Sequence, residues 1–586
     1  MKKYIVIIIL LLLSLSAFGT IYYCSPTGND ASATPTNIAT PWRTWHYAFN
    51  NVTPGDTVYF RGGVYPAYST SIGAWITDTD VDGTHDNPTC FFAYPADWAA
   101  GNYPIMDCDI MTNSVRNYGV QLSYCSNIYF KGLTVRNVDQ ISEAATGWRI
   151  WSESDPNSGG PNNIRFENCV SHNIAGVGFG AAAFDTVYFV NCDAYKNCDT
   201  LNTSDPGGHG NGFSVSARSD TWANSDESYA YFYGCRSWTN SDQGWGIATR
   251  ATVILDNCWG IDNGNTPFPT NTTTKGSGIK LWYFSSTVKD ITKTQLYIRN
   301  SIMAYNAYIG INYTDYNATA YPEVRGHIYN NFIYGNGYQV QYKGTPWGFG
   351  ILDDDAHTDT TGGYDHWYWN NVSYNNLGYS AWSGANGDVI SGIYNQSTNL
   401  FDVSTTPVTD NYFLSLDTAG MMGLHVRQAD GSLPNIDFGK PVVGSPLIDA
   451  GTDVGLPFVG DAPDIGWFES GEIDETATDI LTFNISEQTG AATINSTNHT
   501  VSIEVDYTAN VTDLTPTITL SYGATILPLS GVARDFTNPV PYTVTAEDGV
   551  TYQEWTVTVT QAEEPEDPPA EGTQKMVKFG TAIIRL

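Results

Sequence analysis

Three short segments between residues 208 and 284 decide the fold: Gly210–Val215 (GNGFSV), Asp242–Ile247 (DQGWGI) and Gly276–Leu281 (GSGIKL). Each contains a polar or small residue, then glycine, a large apolar residue, a variable position and an aliphatic residue. Between the segments the chain alternates apolar and polar residues and turns at Asn or Gly. A chain that repeats itself in this way is predicted to form stacked coils of β-strands.

Stacked coils place equivalent side chains in columns, about 4.8 Å apart, which is the spacing of hydrogen-bonded strands. In the alignment above, Lys280 lies next to Gly246 and two coils from Ser214. We therefore expect a lone amine over small neighbours on one face of a sheet.

The same pattern extends in both directions, and most of its units turn at an asparagine. Asparagine tolerates the left-handed conformation of a sharp bend, and stacked amides can hydrogen-bond along a column. One period is 23 residues (168 to 191) and another is 43 (257 to 300), so insertions interrupt a one-turn repeat. Loops inserted on one face of a solenoid usually form its binding groove. The predicted turn residues are Asn168, Asn191, Asn257, Asn300 and Asn370.

Both ends of such a solenoid need caps, because an open end exposes apolar core and unpaired strand edges. Thr40–Phe49 predicts a short helix that covers the first coil. Ser445–Asp453 and Ala462–Glu469 are predicted to close the C-terminal end.

Two further regions differ from the repeats. Met1–Gly19 has a charged start, an apolar centre and a small-residue end, which predicts a secretory signal. Residues 480–561 contain short alternating runs separated by turn residues, and resemble the Ig-like modules of secreted bacterial glycan-active proteins. The predicted domains are 1–19 (signal peptide), 20–471 (capped β-helix), 478–562 (Ig-like β-sandwich) and 563–586 (acidic linker with a short basic, apolar tail).

The composition limits the possible partners. The formal net charge is −34, which argues against nucleic acid and anionic membranes because little positive charge is available to neutralise phosphates. An acidic polysaccharide stays open as a partner, since a local cation can neutralise its carboxylates. After the signal, no segment predicts a membrane span. We expect a soluble monomer that is secreted, extracellular or attached to the cell surface.

The nine cysteines are not expected to form a complete disulfide framework, because their number is odd. Four of them occupy equivalent positions of the repeat, which predicts a column of small buried thiols rather than a metal cluster. These residues are Cys169, Cys192, Cys235 and Cys258.

Four segments resemble the core of the family-nine pectate lyases: Asn191–Asn197, Gly210–Phe213, Cys235–Trp245 and Gly276–Leu281. The opening of the chain also resembles that of secreted right-handed parallel β-helix proteins. These resemblances imply an all-β fold class, a right-handed parallel β-helix, which is followed here by the small Ig-like β-sandwich. They also imply that Lys280 is the catalytic base of a polysaccharide lyase.

The resemblance implies a calcium site as well. Its four ligand positions, which are aspartates in the family, are Asn211, Asp242, Gln243 and Gly246 in this chain, so one carboxylate is kept. Calcium prefers several carboxylate oxygens, and its affinity depends on their charge.

Lyase chemistry on a uronate polymer removes the proton at C5 and expels the substituent at O4. The reaction needs a positive group at the sugar carboxylate and a base that is neutral when it acts. We predict that Arg250, Arg218 and Trp245 bind the substrate. Three possibilities for the positive group remain open: calcium bound weakly and completed by the substrate carboxylate, an arginine in place of the metal, or a groove that binds glycan without cleaving it.

Two other functions remain open. The first is a non-catalytic glycan-binding protein or adhesin. The second is a glycoside hydrolase on the same fold, with paired carboxylates such as Asp353 and Asp354. The acidic run 352–359 is a further candidate for calcium, although such runs are usually solvated loops.

Overall fold

The structure is a computed structural model of the chain. It describes residues 19–77, 81–112, 116–140, 144–151, 161–199, 201, 207–216, 228–249, 251–264, 276–282, 294–314, 325–337, 341–342, 345–346, 350–354, 366–376, 389–391, 394–401, 408–423, 427–471, 476–521, 524–546, 550–563, 577–579 and 582–584. The predicted signal segment lies outside this set.

Three long parallel sheets form the larger part of the molecule, and a typical coil contributes one short strand to each. Equivalent strands of successive coils pair in parallel, which confirms the predicted parallel β-helix. The first sheet contains these described strands: Ile21–Cys24, Thr57–Phe60, Thr89–Ala93, Ser126–Lys131, Asn162–Glu167, Thr186–Val190, Tyr229–Tyr233, Thr252–Asp256, Thr294–Arg299, Arg325–Tyr329, His366–Trp369 and Tyr394–Ser397.

The other two sheets are built in the same way. The second sheet contains the described strands Gly63–Pro66, Pro104–Asp107, Thr134–Arg136, Val170–His172, Asp193–Tyr195, Arg236–Trp238, Trp259–Ile261, Ile302–Ala304, Phe332–Tyr334, Val372–Tyr374 and Leu400–Phe401. The third sheet contains the described strands Ile72–Ile76, Tyr118–Leu122, Ala145–Trp151, Gly176–Ala182, Phe213–Ser216, Trp245–Ala248, Ile279–Trp282, Ile311–Thr314, Ile351–Asp354 and Val389–Ser391. Outside the sheets lie helices Trp45–Phe49 and Pro95–Ala99, the 3-10 helix Asp410–Tyr412, and a hairpin of Gln341–Tyr342 with Thr345–Pro346.

Stacked side chains fill the interior of the coils. Phe130, Phe166 and Phe189 of the first sheet stack with ring centroids 5.3 and 5.1 Å apart. Phe179 and Phe213 of the third sheet stack at 5.1 Å, and the rings of the two columns meet edge to face. Successive strand residues face opposite sides, so the alternation in the sequence delivers one apolar side chain per strand to each column.

The cysteine prediction is confirmed. All nine cysteines lie within the described residues and all are free thiols. The four that occupy equivalent positions, from Cys169 to Cys258, are fully buried. They pack as small apolar side chains inside the coils.

The asparagine turns are confirmed, but the amide ladder differs from the expectation. All five predicted turn residues have φ between 50° and 56°. The Oδ1 atoms of Asn168 and Asn191 nevertheless have no hydrogen-bond partner. The side-chain amide of Asn168 lies against Gly431. The turn equivalent to Asn191 in the next coil has Gly234, which has no side-chain amide to pair with it. Only Asn370 of this set donates to an equivalent asparagine, Asn330, at 2.9 Å.

A continuous ladder forms instead between the second and third sheets. Each Nδ2 donates to Oδ1 of the asparagine one coil further on, at 2.9–3.0 Å. These side chains are buried, so each bond replaces solvation that the amides lose on folding. The ladder consists of Asn197, Asn240, Asn263, Asn306, Asn336 and Asn376.

The N-terminal helix is confirmed. It spans Trp45–Phe49, and the Thr44 hydroxyl at its N-cap accepts a hydrogen bond from the Tyr47 amide at 3.2 Å. Trp45 and Phe49 are buried, and the Trp45 ring packs against Phe60 of the first sheet, with centroids 5.3 Å apart. The helix therefore extends the apolar core at the first coils.

The closure of the C-terminal end by Ser445–Asp453 and Ala462–Glu469 stays a prediction, although the Thr452 N–H donates to Asn370, beside one of the last described coils, at 2.8 Å. Residues 408–423, 427–454 and 460–470, here called the strap, lie along the outer face of the second sheet. In this segment Phe413 packs on Phe332 with ring centroids 5.1 Å apart, and Trp467 packs on Trp259 at 6.1 Å. The strap lies there because the outer face of the second sheet is apolar and forms a second buried core with the strap.

A buried ion-pair cluster fixes the strap to the second sheet. Asp193 receives hydrogen bonds from Arg236 at 2.7 and 2.9 Å and from Arg427 of the strap at 2.6 Å. The Arg236 guanidinium also donates to the carbonyls of Met421 and Gly423. Burial raises the pKa of Asp193, but the two guanidinium groups outweigh that effect and hold it below the ordinary value. We name these three charged residues, Asp193, Arg236 and Arg427, the clamp.

A second compact unit comprises residues 455–459 and 471–586. Its strands are Ile480–Ile485 and Pro516–Leu520 in one pair, Thr493–Asn495, Thr500–Val505, Tyr552–Gln561, Val540–Thr545 and Thr525–Leu527 in a five-stranded sheet, and a hairpin of Val577–Phe579 with Ala582–Ile584. The pair and the five-stranded sheet share one buried core, as expected of a small β-sandwich. Its Ig-like character stays a prediction.

Candidate functional site

Lys280 lies on the outer face of the third sheet. Ile279 and Leu281 on either side of it are buried, whereas Lys280 itself is partly exposed. Its register partners are Gly246 on one side and Asn312 on the other, and Gly246 pairs in turn with Ser214. The structure therefore confirms the column expected from the repeats, with an amine beside a residue that has no side chain.

A column of glycines sets this register. The glycine of each short segment stands just before its strand, where the backbone turns in from the second sheet. A Cβ atom on Gly212, Gly244 or Gly278 would lie 2.9, 2.5 and 2.6 Å, respectively, from the carbonyl oxygen of the next glycine in the column. Only glycine allows this close backbone approach, which explains the recurring glycine of the sequence pattern.

Three positions of the implied calcium site lie just before these glycines: Asn211 before Gly212, and Asp242 and Gln243 before Gly244. Asn211 Oδ1 accepts a hydrogen bond from the backbone N–H of Gln243 at 3.1 Å. The other side-chain atom, Nδ2, therefore points toward Gly246. That nitrogen lies 2.8 Å from the point where a Cβ of Gly246 would stand. Asn211 thus leans across Gly246, the register neighbour of Lys280, and the two side chains share one face of the sheet.

Asp242 is hydrogen-bonded within the protein. Its side chain is buried, one carboxylate oxygen accepts from the Gln243 side-chain amide, and the other accepts from the His209 backbone N–H at 3.1 Å. The His209 ring lies 3.6 Å from the buried carboxylate of Asp199, which also accepts from Gln140 at 2.7 Å. The acidic groups beside the column therefore hold the turn together.

These residues do not fit a calcium ion. Calcium takes six to eight oxygen ligands, several of them from carboxylates. Here Asp242 is the one carboxylate of the implied set, and both of its oxygens as well as Asn211 Oδ1 already accept hydrogen bonds. Within the described residues no group of three or more His, Cys, Asp or Glu is placed to hold a metal.

The assignment of Trp245 to substrate binding is wrong. Its side chain is fully buried, and its ring stacks on Phe213 in the interior column at 5.3 Å. Trp245 occupies the large apolar position of the repeat, and in a strand that position faces the opposite side from Gly246.

Several predicted residues cannot be placed. Arg218 and Arg250 lie outside the described residues, as does 355–365, which includes much of the acidic run. Asp353 and Asp354 belong to a described strand, but their side chains are outside the described set. The roles proposed for these residues stay predictions.

The structure adds residues that the sequence analysis missed. Arg149 lies in the same column as Lys280, with Gly180, Ser214 and Gly246 between them. The signal was present in the sequence, because Gly147-Trp-Arg-Ile150 repeats the pattern of glycine, large apolar, variable and aliphatic residues. Counting coils from that glycine would have found Arg149.

Comparison with known proteins agrees with this geometry. A family model described as "Pel9A-like, right handed beta helix region" matches residues 22–377, more than half of the chain. The chain belongs to this Pel9A-like β-helix family. Residues 480–559 match a second model, described as "SGBP, N-terminal".

Proteins that match most of this chain include lyases. Pectate lyase L of Dickeya chrysanthemi is 26% identical over 457 residues, which cover 77% of this chain and 90% of that protein. The crystal structure of pectate lyase Pel9A matches with a TM-score of 0.56 at 24% identity, covering 77% of this chain and 96% of that one. A rhamnogalacturonan lyase structure matches with a TM-score of 0.56 at 24% identity, over 73% and 98% of the two chains. At this identity the two structures support the fold. No helix among the described residues is long and apolar enough to cross a membrane.

Proposed function

We propose that this protein is a secreted polysaccharide lyase that cleaves an acidic, uronate-containing polysaccharide by β-elimination, with Lys280 as the base. The observation that carries the proposal is the position of Lys280. It projects from the outer face of the third sheet, beside Gly246. The sequence resemblance implies that this is the position of the family's catalytic lysine. The family match and the lyases among its relatives support the reaction class.

In the proposed reaction the neutral Lys280 amine takes the proton from C5 of a uronate residue. The electron pair of the C5–H bond forms the C4–C5 double bond, and the C4–O4 bond breaks. The departing oxygen leaves with its electron pair and takes up a proton. One chain thereby gives two shorter ones, of which one carries an unsaturated end. The base must be uncharged when it acts, because an ammonium group has no lone pair to accept a proton.

The developing charge on the sugar carboxylate needs a partner. Asn211 is the described residue placed to provide one, because its Nδ2 extends over Gly246 beside Lys280. A hydrogen bond from this amide is strongest when the carboxylate carries most charge, which favours the transition state over the ground state. Arg250 and Arg218 stay candidates for a cation that strengthens this contact.

Absorbance at the unsaturated end tests the proposal. We expect the purified protein to release ultraviolet-absorbing ends from at least one of a panel of uronans, including polygalacturonate and rhamnogalacturonan. Lys280→Ala is expected to abolish the signal, since loss of a general base alone costs about 10²- to 10⁴-fold. Lys131→Ala is the matched control, because Lys131 is a partly exposed lysine on the first sheet, paired with Glu167. No absorbance from any uronan would count against the proposal.

The alternative function is glycan binding without cleavage. It is favoured by one observation: three of the four calcium positions implied by the family lack a carboxylate. A protein of this kind would be retarded in a gel that contains the glycan, and Lys280→Ala would leave that retardation unchanged. A hydrolase would instead give new reducing ends without absorbance.

A further inference from the structure

We infer that the outer face of the third sheet carries a distal subsite, built on Arg149, which binds a second carboxylate of the polysaccharide chain. This inference rests on the proposed function and deepens it, because it defines the substrate as a long polyanion that lies along the helix axis. The experiment below separates a failure of the subsite from a failure of the lyase proposal.

The register fixes the distance between the two cations. Arg149 pairs with Gly180, Gly180 with Ser214, Ser214 with Gly246, and Gly246 with Lys280. Four strand steps of about 4.8 Å separate Arg149 from Lys280 by about 19 Å along the axis. A strand step is close to the length of one pyranose unit in an extended chain, so a polymer aligned with the axis would bring a sugar near every strand.

The floor between the two cations is built of small residues. The column itself contains Gly180, Ser214 and Gly246 between Arg149 and Lys280. Two residues further along each strand lies the neighbouring column of outward-facing positions, which contains Ala182, Ser216 and Ala248. Neither column carries a side chain longer than that of serine, so a polymer can approach the sheet closely from Arg149 as far as Gly246, where the Asn211 side chain leans over the column.

Arg149 is held in place before any ligand arrives. Its guanidinium carbon lies 3.7 Å from the ring centroid of Trp151 and 4.2 Å from that of Tyr118. Its Nη1 donates to the side-chain oxygen of Gln121 at 3.1 Å. Stacking and this hydrogen bond restrict the rotamers of a partly exposed arginine, which lowers the entropy lost on binding.

Aromatic residues continue the surface beyond Arg149. Trp75 lies in the same column, two strand steps further toward the N-terminus, through Gln121. Its ring packs against His46 with centroids 3.8 Å apart and against Tyr68 at 4.9 Å. Tyr68 is more than half exposed. The C–H faces of sugar rings pack well on such rings, so the surface fits a glycan rather than a small anion.

The chemistry at Arg149 selects a carboxylate. A guanidinium is planar and presents paired N–H donors that match the two oxygens of a carboxylate. The protein as a whole has a net charge of −34 and repels a polyanion, so a fixed cation in the groove has a large effect on which chains bind.

The test is calorimetric binding of oligogalacturonides of increasing length to the full chain carrying Lys280→Met, which prevents cleavage. We expect the affinity to rise by about tenfold at the length that reaches Arg149, the effect of one charge-assisted hydrogen-bonded contact. Adding Arg149→Gln is expected to remove this step and leave the binding of shorter oligomers unchanged. Arg149→Lys keeps the charge but loses the planar fork, and is expected to keep part of the step.

Arg136→Gln is the matched control, because Arg136 belongs to the second sheet and pairs with Asp107. This substitution is expected to keep the full step. A step that survives Arg149→Gln in a protein with an unchanged melting temperature overturns the subsite and leaves the lyase proposal standing. Absence of binding at every length overturns both the subsite and galacturonan as the substrate. If Arg149→Gln does not fold, two results together overturn the subsite. The first is a tenfold rise in affinity with oligomer length that Arg149→Lys leaves undiminished, and the second is an affinity for partly methyl-esterified oligomers equal to that for unesterified ones.

Discussion

The second and third sheets are built by the same repeat, yet their outer faces differ in the size of their side chains and in what covers them. The outer face of the second sheet carries large apolar side chains such as Trp259 and Phe332, and the strap covers it. The outer face of the third sheet carries Gly180, Ser214 and Gly246, with a cation at each end of that row.

The comparison shows how a solenoid separates stability from function. The repeat fixes only which positions face inward, so the outward positions are free to differ between sheets. Where they are apolar, a segment of the chain must cover them, because burial of that surface is favourable. Where they are small, a ligand can approach the backbone. Substitutions on the second sheet should therefore change the free energy of unfolding, whereas those on the third should change binding and turnover.

Breaking the clamp is expected to have the largest effect on stability. Asp193→Ala leaves Arg236 and Arg427 buried without their counter-charge, which typically costs about 3–5 kcal/mol. Denaturant unfolding followed by tryptophan fluorescence measures the cost. Ser214→Ala on the third sheet is the matched control and should lie within about 0.5 kcal/mol of the wild type. Equal losses in the two variants would contradict the distinction between the faces.

Gly244, just before a strand of the third sheet, and Gly180, within another strand of that sheet, give a sharper contrast. A Cβ on Gly244 would stand 2.5 Å from the Gly278 carbonyl oxygen, whereas a Cβ on Gly180 would meet nothing closer than a Thr146 methyl group at 3.2 Å. We expect Gly244→Ala to cost about 1–3 kcal/mol and Gly180→Ala to change stability by less than about 1 kcal/mol. Melting temperatures measured side by side test this ranking, and a more damaging Gly180→Ala would refute it.

Acid should remove the contribution of the clamp. The pKa of Asp193 is held below its ordinary value in the folded protein, so its contribution is present above the unfolded pKa, about 3.9, and is lost as the pH falls through the folded pKa. The stability difference between the wild type and Asp193→Asn should be constant from about pH 7 to about pH 5 and narrow below about pH 4. If this stability difference instead widened in acid, the pKa of Asp193 would be raised in the folded protein and not lowered.

A chelator is expected to have the smallest effect. Because the described residues around Asp242 do not fit calcium, neither the melting temperature nor the rate of uronan cleavage should change when calcium is removed. Three of the four aspartates are present when Asn211→Asp is combined with Gln243→Asp, and this variant should gain a calcium-dependent rise in melting temperature. Loss of wild-type activity on chelation, with recovery on adding calcium, would contradict the expectation.

The fold and the central column could be predicted from sequence because both depend on local repetition. Gly244 and Gly278 mark equivalent points of successive coils, so counting from them places Lys280 beside Gly246. The same pattern also shows that Trp245 faces inward, since it occupies the apolar position that follows the glycine. Its assignment to the substrate overlooked that alternation.

The strap could not be predicted in the same way. Its main polar contact joins Arg427 to Asp193, two residues 234 positions apart, and no periodicity relates them. Its position depends on the whole outer face of the second sheet, which exists only after the coils have stacked. The hydrogen bonds that occupy Asp242 are equally invisible, because His209 contributes a backbone N–H rather than its side chain.

The most direct test of the lyase proposal is the mass of the shortest products released from a uronan that the protein attacks. If Lys280 is the base of a β-elimination, the wild type gives products whose new ends are unsaturated and lack the elements of one water molecule compared with hydrolysis products. Lys280→Ala, folded to the same melting temperature, gives none. Fully hydrated products from the wild type, or unsaturated products from Lys280→Ala at the wild-type rate, would contradict this assignment.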